Sequence, residues 1–325
     1  MYIFKSKFKE AIRIMEVKQI LVYGAGLMGR GIAQVFSRNP EYSIVLYDIA
    51  DNDVLGQVRK EMMSFVAQGI VDADTAEQQL SRISFTTDLS PELCQKTDLV
   101  VEAVFENMEL KQSVFEKLEI LCRPDTIFCT NTSVMSPTEI SARVKHKERF
   151  VGTHFWNPAT LIPLVEVVKS NGSSDEVAQQ VYDILEKVGK KPVICQRDVP
   201  GFIANRMQHA LWREAIYIVE QGIADAETVD KAVKYSFGLR LPQLPPLVNS
   251  DLVGTDLTYN IHEYILKYLC SDTTPSPLLV KMKEENKMGF KSGEGFFKWD
   301  DESIAAERKG LNDYLIHMLY KKDKE

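Results

Sequence analysis

Five histidines occur in the 325-residue chain, and one of them, His154, sits where an imidazole can exchange a proton with a ligand. It ends an apolar run within Gly152-Thr153-His154-Phe155-Trp156-Asn157-Pro158, so a strand over Phe150–His154 places its ring at the carboxyl end of a sheet. Open α/β sheets hold their ligands on that side. Glu166 lies in the next run, Pro163-Leu164-Val165-Glu166-Val167-Val168, an acid set among apolar residues. If the chain folds back about Thr160, the two positions come opposite each other. A buried carboxylate there would fix the imidazole tautomer and stabilise its protonated form. Such a dyad suits oxidation of an alcohol, because the hydroxyl proton must leave as the hydride departs from carbon. The plainer reading is a satisfied core histidine and a strand-edge glutamate. His146, in a charged loop, His209 and His262, in helical patterns, and His317, near the C-terminus, read as surface or packing residues.

A hydride needs an acceptor. The run Ile20-Leu21-Val22-Tyr23 leads into Gly24-Ala25-Gly26-Leu27-Met28-Gly29, and Arg30-Gly31-Ile32-Ala33-Gln34-Val35 continues as a helix. Gly24 permits a tight turn, Gly26 lets the backbone approach a pyrophosphate, and Gly29 lets the helix pack close to the strand. The helix N-terminus, carrying Leu27 and Met28, then offers N–H groups to the phosphates. A glycine triplet alone is also an ordinary turn. Asp48 closes the second strand about twenty residues on, the spacing at which an acid meets the ribose hydroxyls, and no Arg or Lys follows within several residues to receive a 2′-phosphate, which favours NAD over NADP.

These residues need a scaffold. Between Gln19 and about Asp198, short apolar runs alternate with helical patterns, the signature of a doubly wound, mostly parallel α/β sheet of Rossmann type. Strands are expected at Gln19–Tyr23, Ile44–Asp48, Arg82–Phe85, Leu99–Ala103, Thr126–Thr130, Phe150–His154, Leu164–Val168 and Pro192–Cys195. The stretch Asp53 to Leu80 is too long for one crossover helix and reads as an excursion toward a ligand. After Val199-Pro200-Gly201 the pattern becomes helical over Phe202–Gln221, Glu227–Ser236, Asp256–Leu269, Leu278–Asn286 and Glu302–Tyr320. The expected domains are therefore 1–198, NAD-binding, and 199–325, all-helical, with Met1–Glu16 a loose extension and Met15 an alternative start.

Composition narrows the function classes. A net charge of −7 argues against a nucleic-acid or anionic-membrane surface. No apolar stretch approaches the roughly 18 to 20 residues that span a bilayer. Cys94, Cys122, Cys129, Cys195 and Cys270 are scattered without a C-x-x-C pair, which favours reduced thiols in the cytoplasm and neither a disulfide framework nor a metal site.

Gly24 to Ala33, Asp98-Leu99-Val100-Val101-Glu102-Ala103, Asn131-Thr132-Ser133, His154 to Pro158, Glu166, Asp198 to Arg206 and Gly293-Glu294-Gly295-Phe296-Phe297 follow one another in a characteristic order. In these stretches, and over nearly all of Val17 to Trp299, the chain resembles the L-3-hydroxyacyl-CoA dehydrogenase family. The resemblance implies that His154 is the general base, with Glu166 as its partner, and that Ser133 and Asn205 hydrogen-bond the reacting oxygens of the substrate. It implies further cofactor contacts from Glu106, Lys111, Asn157 and Lys291, and a homodimer. Taken alone, Ser133 reads as a helix N-cap before Pro137, Asn205 as a polar helix residue, and the other four as surface or turn residues.

Two departures bear on the substrate. The resemblance implies a lysine-rich excursion that grips the phosphates of coenzyme A, whereas Asp51 to Val66 offers only Arg59 and Lys60 against Asp51, Asp53 and Glu61. The turn Phe237-Gly238-Leu239-Arg240 to Leu247 looks like that of relatives acting on free hydroxy acids, the lambda-crystallin type gulonate dehydrogenases and carnitine dehydrogenases. Arg240 would there hold a substrate carboxylate; otherwise it is a surface arginine. The substrate readings are thus a 3-hydroxyacyl-CoA or a CoA-free 3-hydroxy acid. A non-catalytic NAD-binding protein is the reading from another class. A 6-phosphogluconate type dehydrogenase, which uses a catalytic lysine, fits the histidine and glutamate poorly.

Overall fold

The computed structural model describes residues 16–320; the extension expected before Glu16 lies outside the described residues. The first part of the chain runs β1 (Gln19–Tyr23), α1 (Leu27–Phe36), β2 (Ser43–Tyr47), α2 (Val54–Ala67), α3 (Ala73–Ser81), β3 (Ile83–Thr86), α4 (Pro91–Lys96), β4 (Leu99–Glu102), α5 (Met108–Leu121), β5 (Ile127–Thr130), α6 (Pro137–Ile140), β6 (Phe150–Phe155), β7 (Leu164–Lys169), α7 (Asp175–Lys187) and β8 (Lys191–Cys195). All eight expected strands are present, each within one residue at either end.

They form one sheet in the order β3-β2-β1-β4-β5-β6-β7-β8. The first six strands are parallel, β7 is antiparallel to β6, and β8 is parallel to β7. The order reverses between β1 and β4, the crevice where a doubly wound sheet binds its ligand.

Near-continuous apolar strands make sense in a sheet covered on both faces. Successive residues feed opposite cores: Ile20, Val22, Leu99, Val101 and Ile127 pack with α1, α2 and α7, whereas Leu21, Val100 and Phe128 pack with α4, α5 and α6. The long excursion is a helical hairpin, α2 and α3. Arg59 on α2 pairs with Glu77 on α3 at 2.5 Å, and Glu61 on α2 accepts from Arg30 and Gln34 on α1 at 2.9 and 2.7 Å.

The rest of the chain is α8 (Ala204–Glu220), α9 (Ala226–Tyr235), α10 (Phe237–Arg240), α11 (Pro246–Val253), α12 (Thr255–Ile265), α13 (Pro277–Glu284) and α14 (Asp301–Tyr320). The segment Phe237–Leu247, read from sequence as one long turn, holds α10 and the first two residues of α11. Pro246 sits in the first turn of α11, where its missing N–H costs nothing. The chain divides into two compact units, one running to Ala204 and resumed from Tyr314, the other Asn205–Asp313. The expected division after 198 is a single boundary; in the structure the last turns of α14 also group with the sheet-bearing unit.

Asp98 anchors the edge of this arrangement. Its Oδ2 accepts from the backbone N–H groups of Lys18 and Gln19, both at 2.8 Å, and its Oδ1 accepts from Arg123 at 2.7 Å. Burial pushes its pKa up, but the N–H groups and the guanidinium outweigh burial and leave it below the ordinary carboxylate value. A depressed folded pKa stabilises the fold fully above the unfolded value of about 3.9 and less as pH falls through the folded one. Asp98→Ala is expected to cost about 2 kcal/mol at neutral pH, since it strands two strand-end donors, and to flatten the acid limb of stability. Denaturant unfolding of both proteins from neutral pH down to pH 3 measures this; equal stability throughout would refute it.

Candidate active site

The glycine turn meets the steric demands of a dinucleotide site. Gly24 has φ 108°, and a Cβ there would lie 2.7 Å from the Ala103 carbonyl oxygen. A Cβ on Gly29 would lie 1.8 Å from the Gly24 carbonyl oxygen, so α1 packs on the turn only with glycine at this position. A Cβ on Gly26 would meet nothing within 4 Å. Gly26 is also the N-cap of α1, with no side-chain cap and no acid in the first turn. N–H groups at the positive end of a helix thus face open space, and the residues present fit a pyrophosphate.

Asp48 is placed by the turn as well as beside it. Its Oδ2 accepts from the Ala25 N–H at 2.8 Å and its Oδ1 from the Ile49 N–H at 2.7 Å. Arg30 completes the brace, donating to the Ala25 carbonyl at 3.1 Å. Leu27, Ile49, Phe105 and Val134, each following a strand's carboxyl end, are more than half exposed. Exposed apolar side chains past the carboxyl ends of neighbouring strands suit the faces of flat rings. Ile49, Phe105 and Val134 escaped the reading of the sequence; the signal was an apolar residue in the loop that follows a strand.

Glu106 and Lys111 form the next layer. Lys111 is wholly buried, its Nζ donating to Glu102 Oε1 at 2.8 Å and the Asn131 carbonyl at 3.1 Å and lying 3.3 Å from Glu106 Oε2. Its amine is committed to protein acceptors and has no exposed surface with which to make the direct cofactor contact expected of it. Glu106 is partly exposed and accepts from the Thr132 hydroxyl and, at 3.0 Å, the Ser133 N–H. It therefore sets the turn that presents Ser133. The N-cap of α6 is Ser136, so Ser133, exposed in the preceding turn, does not serve as that cap. Burial pushes the Glu102 pKa up, opposed by Lys111, the Thr130 hydroxyl and the Val104 N–H.

In the antiparallel ladder of β6 and β7, His154 pairs directly with Glu166. His154 Nδ1 lies 2.8 Å from Glu166 Oε2. The Trp156 indole N–H donates to the same oxygen at 3.4 Å, and the Ile203 and Ala204 N–H groups donate to Oε1 at 2.9 and 3.0 Å. Burial raises the Glu166 pKa, but the imidazole and the Ala204 and Ile203 N–H groups overcome it, so the carboxyl stays below its ordinary value. Trp156 and Phe202 flank the imidazole, with ring centroids 5.4 and 5.7 Å away. With Nδ1 committed to the acid, Nε2 is the nitrogen that can serve a ligand.

Asn157 is exposed just beyond β6. Three other expected residues lie in the second unit: Asn205, buried near the start of α8; Arg240, exposed at the end of α10; and Lys291, exposed in the turn between Gly289 and Glu294. Among the described residues no cluster of histidine, cysteine and acids could hold a metal ion.

Comparison with known proteins agrees with this arrangement. Residues 19–199 match the family model of the 3-hydroxyacyl-CoA dehydrogenase NAD binding domain, and residues 201–299 that of the 3-hydroxyacyl-CoA dehydrogenase C-terminal domain. A probable 3-hydroxybutyryl-CoA dehydrogenase of Bacillus subtilis (strain 168) is 36% identical over 293 residues, which are 89% of this chain and 100% of that protein. A 5-formyl-3-hydroxy-2-methylpyridine 4-carboxylate 5-dehydrogenase of Mesorhizobium japonicum is 30% identical, with 89% and 93% covered. The crystal structure of a dehydrogenase of the corresponding acid, described as an NAD+-dependent dismutase, superposes with a TM-score of 0.84 at 29% identity over 93% of this chain and 97% of that one. Glycine turn, buried histidine–glutamate pair and matched length together place the chain in the 3-hydroxyacyl-CoA dehydrogenase family, with an NAD-binding first domain.

Proposed function

We propose that this protein is an NAD-dependent dehydrogenase that interconverts the 3-hydroxyl and 3-keto forms of a 3-hydroxyacyl-CoA. The observation that carries the reading is the buried His154–Glu166 pair, 2.8 Å apart at the carboxyl end of β6. Glu166 holds the imidazole in the tautomer with its proton on Nδ1, so Nε2 accepts the substrate hydroxyl proton in oxidation and returns it in reduction. The ionised carboxylate then faces the imidazolium that forms. NAD, when bound, supplies the hydride acceptor. Ser133, in the turn set by Glu106, donates to the reacting oxygen. Asn205 takes the same role, and Asn157 and Lys291 contact the cofactor, on the strength of the family pattern. Lys111 acts through Glu106 and the Asn131 carbonyl.

His154→Gln is expected to lower kcat by a factor of about 10² to 10⁴, the usual contribution of a positioned acid–base group, with NADH affinity little changed. Steady-state rates and NADH fluorescence titration measure this; undiminished turnover would remove His154 from its role.

A second reading, a CoA-free hydroxy acid as substrate, has its own support. Of the two cations available in the helical hairpin, Arg59 is already engaged by Glu77, whereas Arg240 is exposed. A relative named for action on a pyridine carboxylate adds to it. Turnover of 3-hydroxybutyryl-CoA against small free 3-hydroxy acids separates the readings. The CoA reading expects the thioester to be preferred and Arg240→Ala to be silent. Preference for free acids, with KM raised at least about tenfold in the variant for loss of a bidentate charge pair, would install the second.

We further propose that the enzyme works in the cytoplasm as a homodimer built on the second unit. Leu247, Leu252, Leu257, Tyr259 and Tyr264 are all exposed there, more apolar surface than a solitary helical unit normally leaves to water. Among the described residues no helix is long and apolar enough to cross a membrane. Light scattering after size exclusion is expected to give twice the chain mass of 36.9 kDa; a monomer at micromolar concentration would refute the dimer.

A further inference from the structure

The segment joining β6 to β7 begins at Trp156, immediately after the His154–Phe155 strand end, and carries Asn157. The ladder between the two strands stops at Phe155 and Val165, so the intervening backbone must find partners elsewhere. Two of its N–H groups, from Leu161 and Ile162, fold back onto the Pro158 carbonyl at 3.1 and 3.0 Å. Its own carbonyls point at cations. Lys190 Nζ donates to the carbonyls of Ala159 and, at 2.7 Å, Ile162. Arg38, just past the end of α1, donates to the Thr160 carbonyl at 2.7 Å. On the α1 side, a Cβ on Gly31 would come within 3.1 Å of the Ala159 methyl carbon, so the segment lies hard against the helix whose first turn faces the pyrophosphate position.

We propose that Lys190 is a positioning residue for the reaction. With Arg38 it clamps the segment after β6 onto α1, and so fixes the register between the strand end bearing His154 and the helix that holds the cofactor. The proposal rests on the functional reading above for its activity readout, but its cofactor readout stands without it.

The choice of lysine argues for a task beyond filling space. Lys190 is 2% exposed, and burying an ammonium group is costly, so an apolar side chain of similar length would pack there more cheaply. Burial first, and the neighbouring Arg38 charge second, push its amine down to about 7. A neutral amine keeps two N–H groups, and two carbonyls await them. The same adjustment lets two basic side chains serve one short segment without full mutual repulsion. Nothing in the reaction uses this amine directly, which makes it a device for placement.

The test compares wild type with Lys190→Met, Lys190→Gln and Arg38→Met by thermal unfolding, NADH fluorescence titration, and kcat and KM on 3-hydroxybutyryl-CoA below the unfolding range. Lys190→Met removes both donors at nearly constant volume. It is expected to lose about tenfold or more in NADH affinity, with a fall in kcat as well, since misplacement of about 1 Å can cost about a hundredfold. Lys190→Gln, whose amide still donates, is expected to fall between Lys190→Met and wild type, and Arg38→Met to show a smaller loss of the same kind. A Lys190→Met protein that is merely less stable, with wild-type NADH affinity and kcat when folded, would overturn the proposal. If that variant does not fold, wild-type behaviour of both Lys190→Gln and Arg38→Met would overturn it instead. Wild type inert toward every 3-hydroxyacyl thioester and 3-hydroxy acid would sink the functional reading, and the clamp would then be judged on NADH affinity.

Discussion

The carboxylate of Glu166 has no exposed surface, and it remains an anion because four donors converge on it. An unpaired buried charge would cost several kcal/mol, so the local structure is arranged to supply partners. The antiparallel return of β7 sets His154 opposite it, and the chain leaving β8 brings the Ile203 and Ala204 N–H groups to its other oxygen. The imidazole is consequently held in one orientation and one tautomer before any ligand arrives. Pre-organisation of this kind is what the proposed role of His154 as the base requires.

A second buried network ties the cofactor side of the sheet to this pair. Glu102 ends β4, Lys111 reaches it from α5, and the same ammonium holds the Asn131 carbonyl beyond β5. The side-chain oxygen of Asn131 then accepts from the Phe155 N–H at 3.0 Å, one residue from the histidine. Three adjacent strand ends are thus tied together, two of them through a buried ammonium group, and at low dielectric each such bond is stronger and its loss more costly than at the surface. Lys190 and Arg38 in turn hold the carbonyls of the segment that follows β6.

Asp48 and Lys111 illustrate how role and position separate. Asp48 braces the glycine turn through the Ala25 N–H and the start of the next loop through the Ile49 N–H, so the carboxylate expected to meet the ribose also serves the scaffold. Lys111, by contrast, is withdrawn from the surface altogether, and its influence passes through Glu106 to the turn that carries Ser133.

Much of this was legible in the order of the residues. Apolar runs of strand length, broken by glycine and by helical periodicity, specify a two-faced sheet because every other side chain must be buried on each side; the eight strands and the glycine turn follow from local rules alone. The pairing of His154 with Glu166 was legible only as a condition on where the chain turns back. What tertiary structure decided were the partners of buried polar groups. That Ser136 caps α6, that Arg59 spends its charge on Glu77, that Lys111 and Lys190 point inward, and that the chain returns to its first unit after Tyr314 all depend on which surfaces meet. A lysine's spelling is the same on a solvated face and in a core. Only the packed fold determines whether water or a carbonyl satisfies its donors, and that difference in desolvation is invisible to a sequence read one residue at a time.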